Sequence, residues 1–130
     1  RYADPTQDLS FVRRAARLQD TQNRQNSIES SDEDLALWWD SAQQQVIDLA
    51  NKHYARAVEL GIAKEQARAI LPEGNTVSKL YMNGTLRSWI HFVQLRSANG
   101  TQREHQEVAR ACAQVIAEIF PMAANLVAKN

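Results

Sequence analysis

Thr85-Leu-Arg-Ser-Trp-Ile-His-Phe-Val-Gln-Leu-Arg96 joins a clean helical pattern to three basic groups that packing does not require. At about 100° per residue, Leu86, Trp89, Ile90 and Val93 share one face, the i, i+3, i+4, i+7 spacing of a helix lying on a core. Arg87 and His91, four apart, sit side by side on another face. Arg96 closes the last turn before Ser97-Ala-Asn-Gly100, a breaker cluster that ends the helix. A last-turn arginine also complements the helix macrodipole, and Arg87 and His91 also suit a solvated face, so spacing alone leaves both roles open.

Working outward, residues 63–70 read as a short helix stopped by Leu71-Pro72, with Arg68 near its end, and Glu73-Gly74-Asn75 as a turn. Val77, Leu80, Tyr81 and Met82 then predict one short strand, and Asn83-Gly84 turns into the helix. On the far side, Thr101-Gln-Arg-Glu104 is a capping box, followed by the apolar stripe Val108, Ala109, Cys112, Val115, Ile116 and Ile119, which ends at Phe120-Pro121. Cys112 on that stripe reads as a small buried hydrophobe, and a lone cysteine cannot bridge internally. Further upstream, Ser31-Asp-Glu-Asp34 resembles a capping-box start. From there Leu35, Trp38, Trp39, Ala42, Val46, Leu49, Ala50, Ala57 and Val58 keep helical spacing over 33–60, with Gly61 as the stop. Such a helix spans roughly 42 Å. That is long for so small a domain, so part of it is expected to pack on another subunit, with Trp38-Trp39 read as interface rather than as a stacking platform. Leu9, Val12 and Ala16 allow one amphipathic turn in an otherwise irregular arm, and 19–31 reads as an exposed loop.

The expected fold class is α+β and predominantly α-helical, long helices packed with a short β-strand. The domain organisation is a single domain over 1–130: an irregular arm at 1–31, a helical core at 32–121 and a tail at 122–130. With 44% apolar residues the 130-residue chain can build a core without metal or disulfide staples. Fifteen acidic against fifteen basic residues give zero formal charge, which argues against a nucleic-acid binder. No run of 18 apolar residues and no secretory leader is present, which points to the cytoplasm and away from the membrane. His53, His91 and His105 lie on separate segments without metal-ligand spacing, and no nucleophile elbow, P-loop or dinucleotide turn occurs.

What remains is arginine chemistry, carried by Arg1, Arg68, Arg87 and Arg96. A guanidinium fork donates two hydrogen bonds at once to a phosphate or a planar imide. The order of motifs, A-R-x-x-L-P at 67–72, R-S-h-x-H-F-h-x-L-R at 87–96 and then Gln102 and Glu104, resembles the C-terminal part of the flavin-dependent thymidylate synthases (h, hydrophobic). Arg1-Tyr2 likewise resembles the end of that family's R-H-R-x-x-S-x-N-x-x-S-x-R-Y signature.

The resemblance implies a sheet flanked by helices in a homotetramer, with FAD and dUMP held where subunits meet. It implies that dUMP becomes dTMP with a methylene from methylenetetrahydrofolate and a hydride from flavin reduced by NADPH, without a cysteine nucleophile. By matching position, Arg96 would contact the uracil as the catalytic residue, with Leu95 beside it, and Arg68 and Arg1 would bind dUMP. Thr85, Leu86, Arg87 and His91 would line the FAD site, Thr85 and His91 standing where some members have asparagine. Gly100 stands where some have histidine. The R-H-R portion would lie upstream of Arg1, so this chain alone is expected to be inactive. The alternative is a non-catalytic helical oligomerisation module.

Overall fold

A computed structural model describes residues 10–98 and 100–127. In chain order these form strands β1 (Arg17–Gln19) and β2 (Ser27–Glu29), helix α1 (Glu33–Glu59), helix α2 (Lys64–Ala67) running into a 3₁₀ turn (Arg68–Ile70), helix α3 (Leu86–Arg96), helix α4 (Arg103–Ala117) and a terminal 3₁₀ segment (Pro121–Leu126). Two compact units result. One takes in the chain up to Ala16 with Ser30–Tyr81; the other is Arg17–Glu29 with the chain from Met82 onward.

In the first unit, α1 starts at Asp32, one residue later than a Ser31 capping box would place it. The Asp32 carboxylate accepts from the Leu35 backbone N–H at 3.0 Å, satisfying a donor that the helix start leaves open. The helix ends as its glycine predicts. Gly61 has φ +83°, its N–H donates to the Val58 carbonyl, and the Ile62 N–H donates to that of Ala57, both at 3.0 Å. These two bonds make a Schellman motif, which needs a left-handed residue after the cap.

The face that α1 buries differs from the expected stripe. Gln43, Ile47, Ala50 and Tyr54 are the buried residues, whereas Trp38, Val46 and Leu49 are 63%, 51% and 58% exposed. The helix has apolar groups on more than one side, and a polar contact selects among them. The Gln43 side chain accepts from the Arg14 N–H at 2.7 Å and from Asn75 Nδ2 at 3.0 Å. It donates to the carbonyls of Arg14 at 2.9 Å and Trp39 at 3.2 Å. Asn75 in turn exchanges bonds with Val12, Nδ2 to the carbonyl at 2.9 Å and N–H to carbonyl at 2.8 Å. Residues 10–16 therefore run extended along α1 instead of making an amphipathic turn. The predicted strand at 77–82 is also absent: among the described residues of this unit, β pairing is limited to one antiparallel bridge, Phe11 with Thr76. Leu80, Tyr81 and Met82 are 71%, 83% and 70% exposed. A strand needs a neighbour to satisfy its backbone; the Val77 N–H donates to the Ser10 carbonyl at 3.0 Å, and among the described residues no strand continues beside 78–82.

In the second unit a hairpin stands where the sequence predicts an irregular arm and loop, with Leu18 opposite Ile28. Its seven-residue loop lacks glycine and is held by side chains. Asp20 Oδ1 accepts from the N–H groups of Gln22 at 2.8 Å and Asn23 at 3.2 Å, and Oδ2 accepts from Asn26 Nδ2 at 3.0 Å, an Asx-turn arrangement. Helices α3 and α4 pack through small residues: Val93, Ser97, Ala109, Ala113 and Ala123 are each at most 2% exposed. The expected stripe on α4 is only partly inside, with Val108, Val115 and Ile119 at 55%, 64% and 76% exposure and Cys112 half-buried rather than buried. The Thr101 capping box does not form. Gln102 is the N-cap, without a side-chain bond, and the Gln106 side chain instead donates to the carbonyl of buried Thr101 at 2.7 Å.

Replacing Gln43 by leucine removes its bonds to the Arg14 backbone and to Asn75, so chemical denaturation should show a loss of about 2–3 kcal/mol. Gln44→Leu, which removes only an exposed bond to Asp48, should change stability by less than about 0.5 kcal/mol. Equal effects would show that the Gln43 network does not organise this unit. The bonds from Gln22, then Asn23 and Asn26, hold the Asp20 carboxyl below its ordinary value of 3.8. A depressed folded value means that the stabilisation is present above the unfolded value and is lost as pH falls through the folded one. The Gln22 and Asn23 amides should therefore lose hydrogen-exchange protection on acidification below about pH 4. Asp20→Ala should lack that protection at every pH. Protection that survives acid unchanged would remove the carboxylate from the turn's support.

Candidate functional site

Helix α3 carries most of the residues singled out by sequence. Thr85 caps it, its hydroxyl accepting from the Ser88 N–H at 3.2 Å and lying 2.9 Å from Ser88 Oγ. The side chain that the sequence assigns to the flavin site as an expectation thus also starts the helix, and loss of such a cap typically costs about 1 kcal/mol. Just before it, a Cβ on Gly84 would come within 3.2 Å of Trp89 Nε1, so the indole lies close over the approach to the helix. Trp89 meets Phe92 edge-on with centroids 5.8 Å apart, and Phe92 stacks at a tilt on His105 of α4 at 5.5 Å. Those aromatic contacts fix the rotation of α3 against α4.

With that rotation set, Val93 is buried, Trp89 and Ile90 are half-buried, and Leu86, placed on the core face by its spacing, is 40% exposed. Arg87, Ser88, Ile90, His91 and Gln94 line one groove of about 510 Å³. The structure thereby brings Arg87 and His91 together. Leu95 is 53% exposed, and Arg96 is exposed on the last turn. Nine residues separate Arg87 from Arg96, which puts them on opposite sides of the helix and roughly 13 Å apart along its axis. Among the described residues neither guanidinium makes a hydrogen bond or ion pair, so both forks face outward with their donors uncommitted.

Arg68 belongs to the first unit. It sits half-buried at the start of the 3₁₀ turn and lines a pocket of about 310 Å³ with Ala69, Leu71, Glu73, Thr76 and Ser78. The wall is stiffened by Thr76, whose hydroxyl donates to the Pro72 carbonyl at 2.7 Å while the Asn75 and Thr76 N–H groups reach the same carbonyl at 3.1 and 3.0 Å. Arg1 lies outside the described residues. Gly100 has a local reason of its own: its φ is +96°, and a Cβ there would meet Asn23 Nδ2 at 2.8 Å. A histidine at this position would be strained. Trp38 and Trp39 are 63% and 37% exposed, with centroids 6.2 Å apart and tilted by 33°. Sequence reading missed the Gln43 network, which lay inside an uninformative triple glutamine. It also missed a polar pocket between hairpin and α4, whose residues are too far apart in the chain to form a motif.

Comparison with known proteins places the chain in a family. Residues 1–122 match the family model described as thymidylate synthase complementing protein. The chain is 47% identical over 106 residues to a probable flavin-dependent thymidylate synthase of Paramecium bursaria Chlorella virus 1, covering 82% of this chain and 49% of that protein. It is 46% identical over 109 residues to the flavin-dependent thymidylate synthase of a Synechocystis species, covering 84% and 50%. The corresponding enzyme of Kosmotoga olearia is 30% identical over 115 residues, covering 88% and 50%. The chain spans about half the length of the curated relatives it matches. With the A-R-x-x-L-P turn and the α3 motif both inside the matched region, this chain belongs to the thymidylate synthase complementing protein family.

Proposed function

We propose that this chain is the C-terminal portion of a single-domain flavin-dependent thymidylate synthase, which makes dTMP from dUMP in the cytoplasm as a homotetramer. The observation that carries this reading is the division of α3 into two basic faces with uncommitted donors, on a helix within a chain of this family. The Arg87–His91 groove suits FAD: its volume admits a planar ring or an adenosine, its two basic side chains suit phosphate oxygens, and exposed Leu86 offers apolar cover beside Thr85. When bound, FAD reduced by NADPH supplies the hydride, and methylenetetrahydrofolate supplies the carbon.

The chain's own residues position and polarise. Arg96, opposite the groove, donates its fork to the uracil edge with Leu95 alongside, and favours negative charge on the ring as it is activated. Arg68, together with Arg1, takes the phosphate and ribose of dUMP. A fixed fork on a capped helix places two donors at once, which a lysine ammonium cannot do. Assembly is supported by the apolar surface on α1 and on α4: Leu37, Trp38, Leu49, Val108 and Val115 are each more than half exposed, more than a monomer of this size ordinarily leaves in water. No helix among the described residues is long and apolar enough to cross a membrane.

In the protein carrying the family's upstream R-H-R segment, Arg96→Lys should keep flavin content and melting temperature while dTMP formation falls about tenfold or more, about 1.4 kcal/mol in the barrier. Near-normal turnover would return Arg96 to the role of a helix-end cation. A protein that binds neither flavin nor dUMP would favour the oligomerisation module instead.

A further inference from the structure

The second unit holds a polar pocket apart from the α3 groove, about 390 Å³, walled by the β1–β2 hairpin and the first turns of α4. Three guanidiniums enter it, and two are committed. Arg17 donates from Nε to Ser27 Oγ at 2.7 Å, from Nη2 to the Ser27 carbonyl at 2.6 Å and from Nη1 to Glu29 at 3.3 Å. Arg103 donates from Nε to Glu107 at 3.1 Å, and its Nη1 lies 3.5 Å from Glu29. Arg110 differs. Its guanidinium lines the pocket and, among the described residues, makes no hydrogen bond or ion pair. The Nε is closed to solvent and so to a ligand oxygen, which leaves the Nη1–Nη2 pair to serve one. The two carboxylates in the pocket already serve Arg17 and Arg103.

We propose that this pocket binds the carboxylate of a small polar ligand, with Arg110 supplying the fork. Three positive and two negative groups leave a surplus of one positive charge, which matches a single carboxylate better than a phosphate dianion that Glu29 and Glu107 would repel. The planar guanidinium fits two coplanar oxygens. Ser27 Oγ accepts from Arg17 and keeps its own proton to donate. The lining is mostly polar side chains, so the body attached to the carboxylate is polar too, as in an N-acylated amino acid. This site is separate from the dUMP and flavin contacts proposed above, and occupancy does not depend on them.

Calorimetric titration of the full-length protein with N-acetylglycine tests it. Saturable binding should occur, be absent with the uncharged N-acetylglycinamide, weaken about fivefold or more in Arg110→Lys and vanish in Arg110→Gln. Arg96→Lys should leave it unchanged, and Arg110→Gln should leave dTMP formation unchanged. Inorganic phosphate that competes as strongly as N-acetylglycine would overturn the carboxylate assignment. Binding that persists in both Arg110 variants would overturn the site, and so would an Arg110 variant that changes only the oligomeric state, since the pocket would then belong to a second copy.

Discussion

The buried amide of Gln43 is the contact on which the first unit depends. A glutamine side chain brings a carbonyl and two N–H bonds into the interior, and each needs a partner because the surroundings offer no water. Here the carbonyl takes two donors and the amide nitrogen reaches two carbonyls, so the side chain acts as a short piece of β-ladder grafted onto a helix. Two segments distant in sequence are tied to α1 as a result. The strand-like stretch around Arg14 is one, and the turn around Asn75 is the other. Asn75 follows the Arg68–Pro72 turn directly, and the backbone bonds to the Pro72 carbonyl pass that order back to the pocket wall beside Arg68.

The second unit reaches comparable order by close approach. Alanine and serine at Ser97, Ala109, Ala113 and Ala123 allow α3, α4 and the terminal 3₁₀ segment to pack backbone near backbone, where larger side chains would hold them apart. Thr85 at one end of α3 and the Ser97 turn at the other then fix eleven residues as a rigid rod. A rigid rod is what separates functions by face: Arg87 and His91 cannot turn toward Arg96, so the two basic faces can serve different ligands. The large aliphatic side chains Val108 and Val115 of α4 are left outside.

Local chemistry along the chain was enough for most of the elements. The periodicities of 33–60, 85–96 and 108–119, the Gly61 stop and the Pro72 break act within one helical turn, and so they could be recognised without knowing what lies across the molecule, although α4 itself ends at Ala117. The family motifs were legible for the same reason, because Arg68, Arg87, His91 and Arg96 are spaced by the geometry of single elements. What sequence could not settle was partner choice. α1 has apolar residues on more than one side, and only the packing of residues 10–16 and Asn75 onto Gln43 decides that Trp38, Val46 and Leu49 face outward. The segment 77–82 has strand composition but, among the described residues, is paired only at its first residue, Val77, with Ser10, and the hairpin has a neighbour but no glycine turn signal, its loop being closed by Asp20, Asn23 and Asn26 side chains. The pocket around Arg110 joins residues from positions 17 to 110, and its character rests on a guanidinium that no described residue pairs. Periodicity and caps are local free energies written into consecutive residues; pairing, burial and unsatisfied donors depend on which distant groups arrive, and that only the tertiary structure decided.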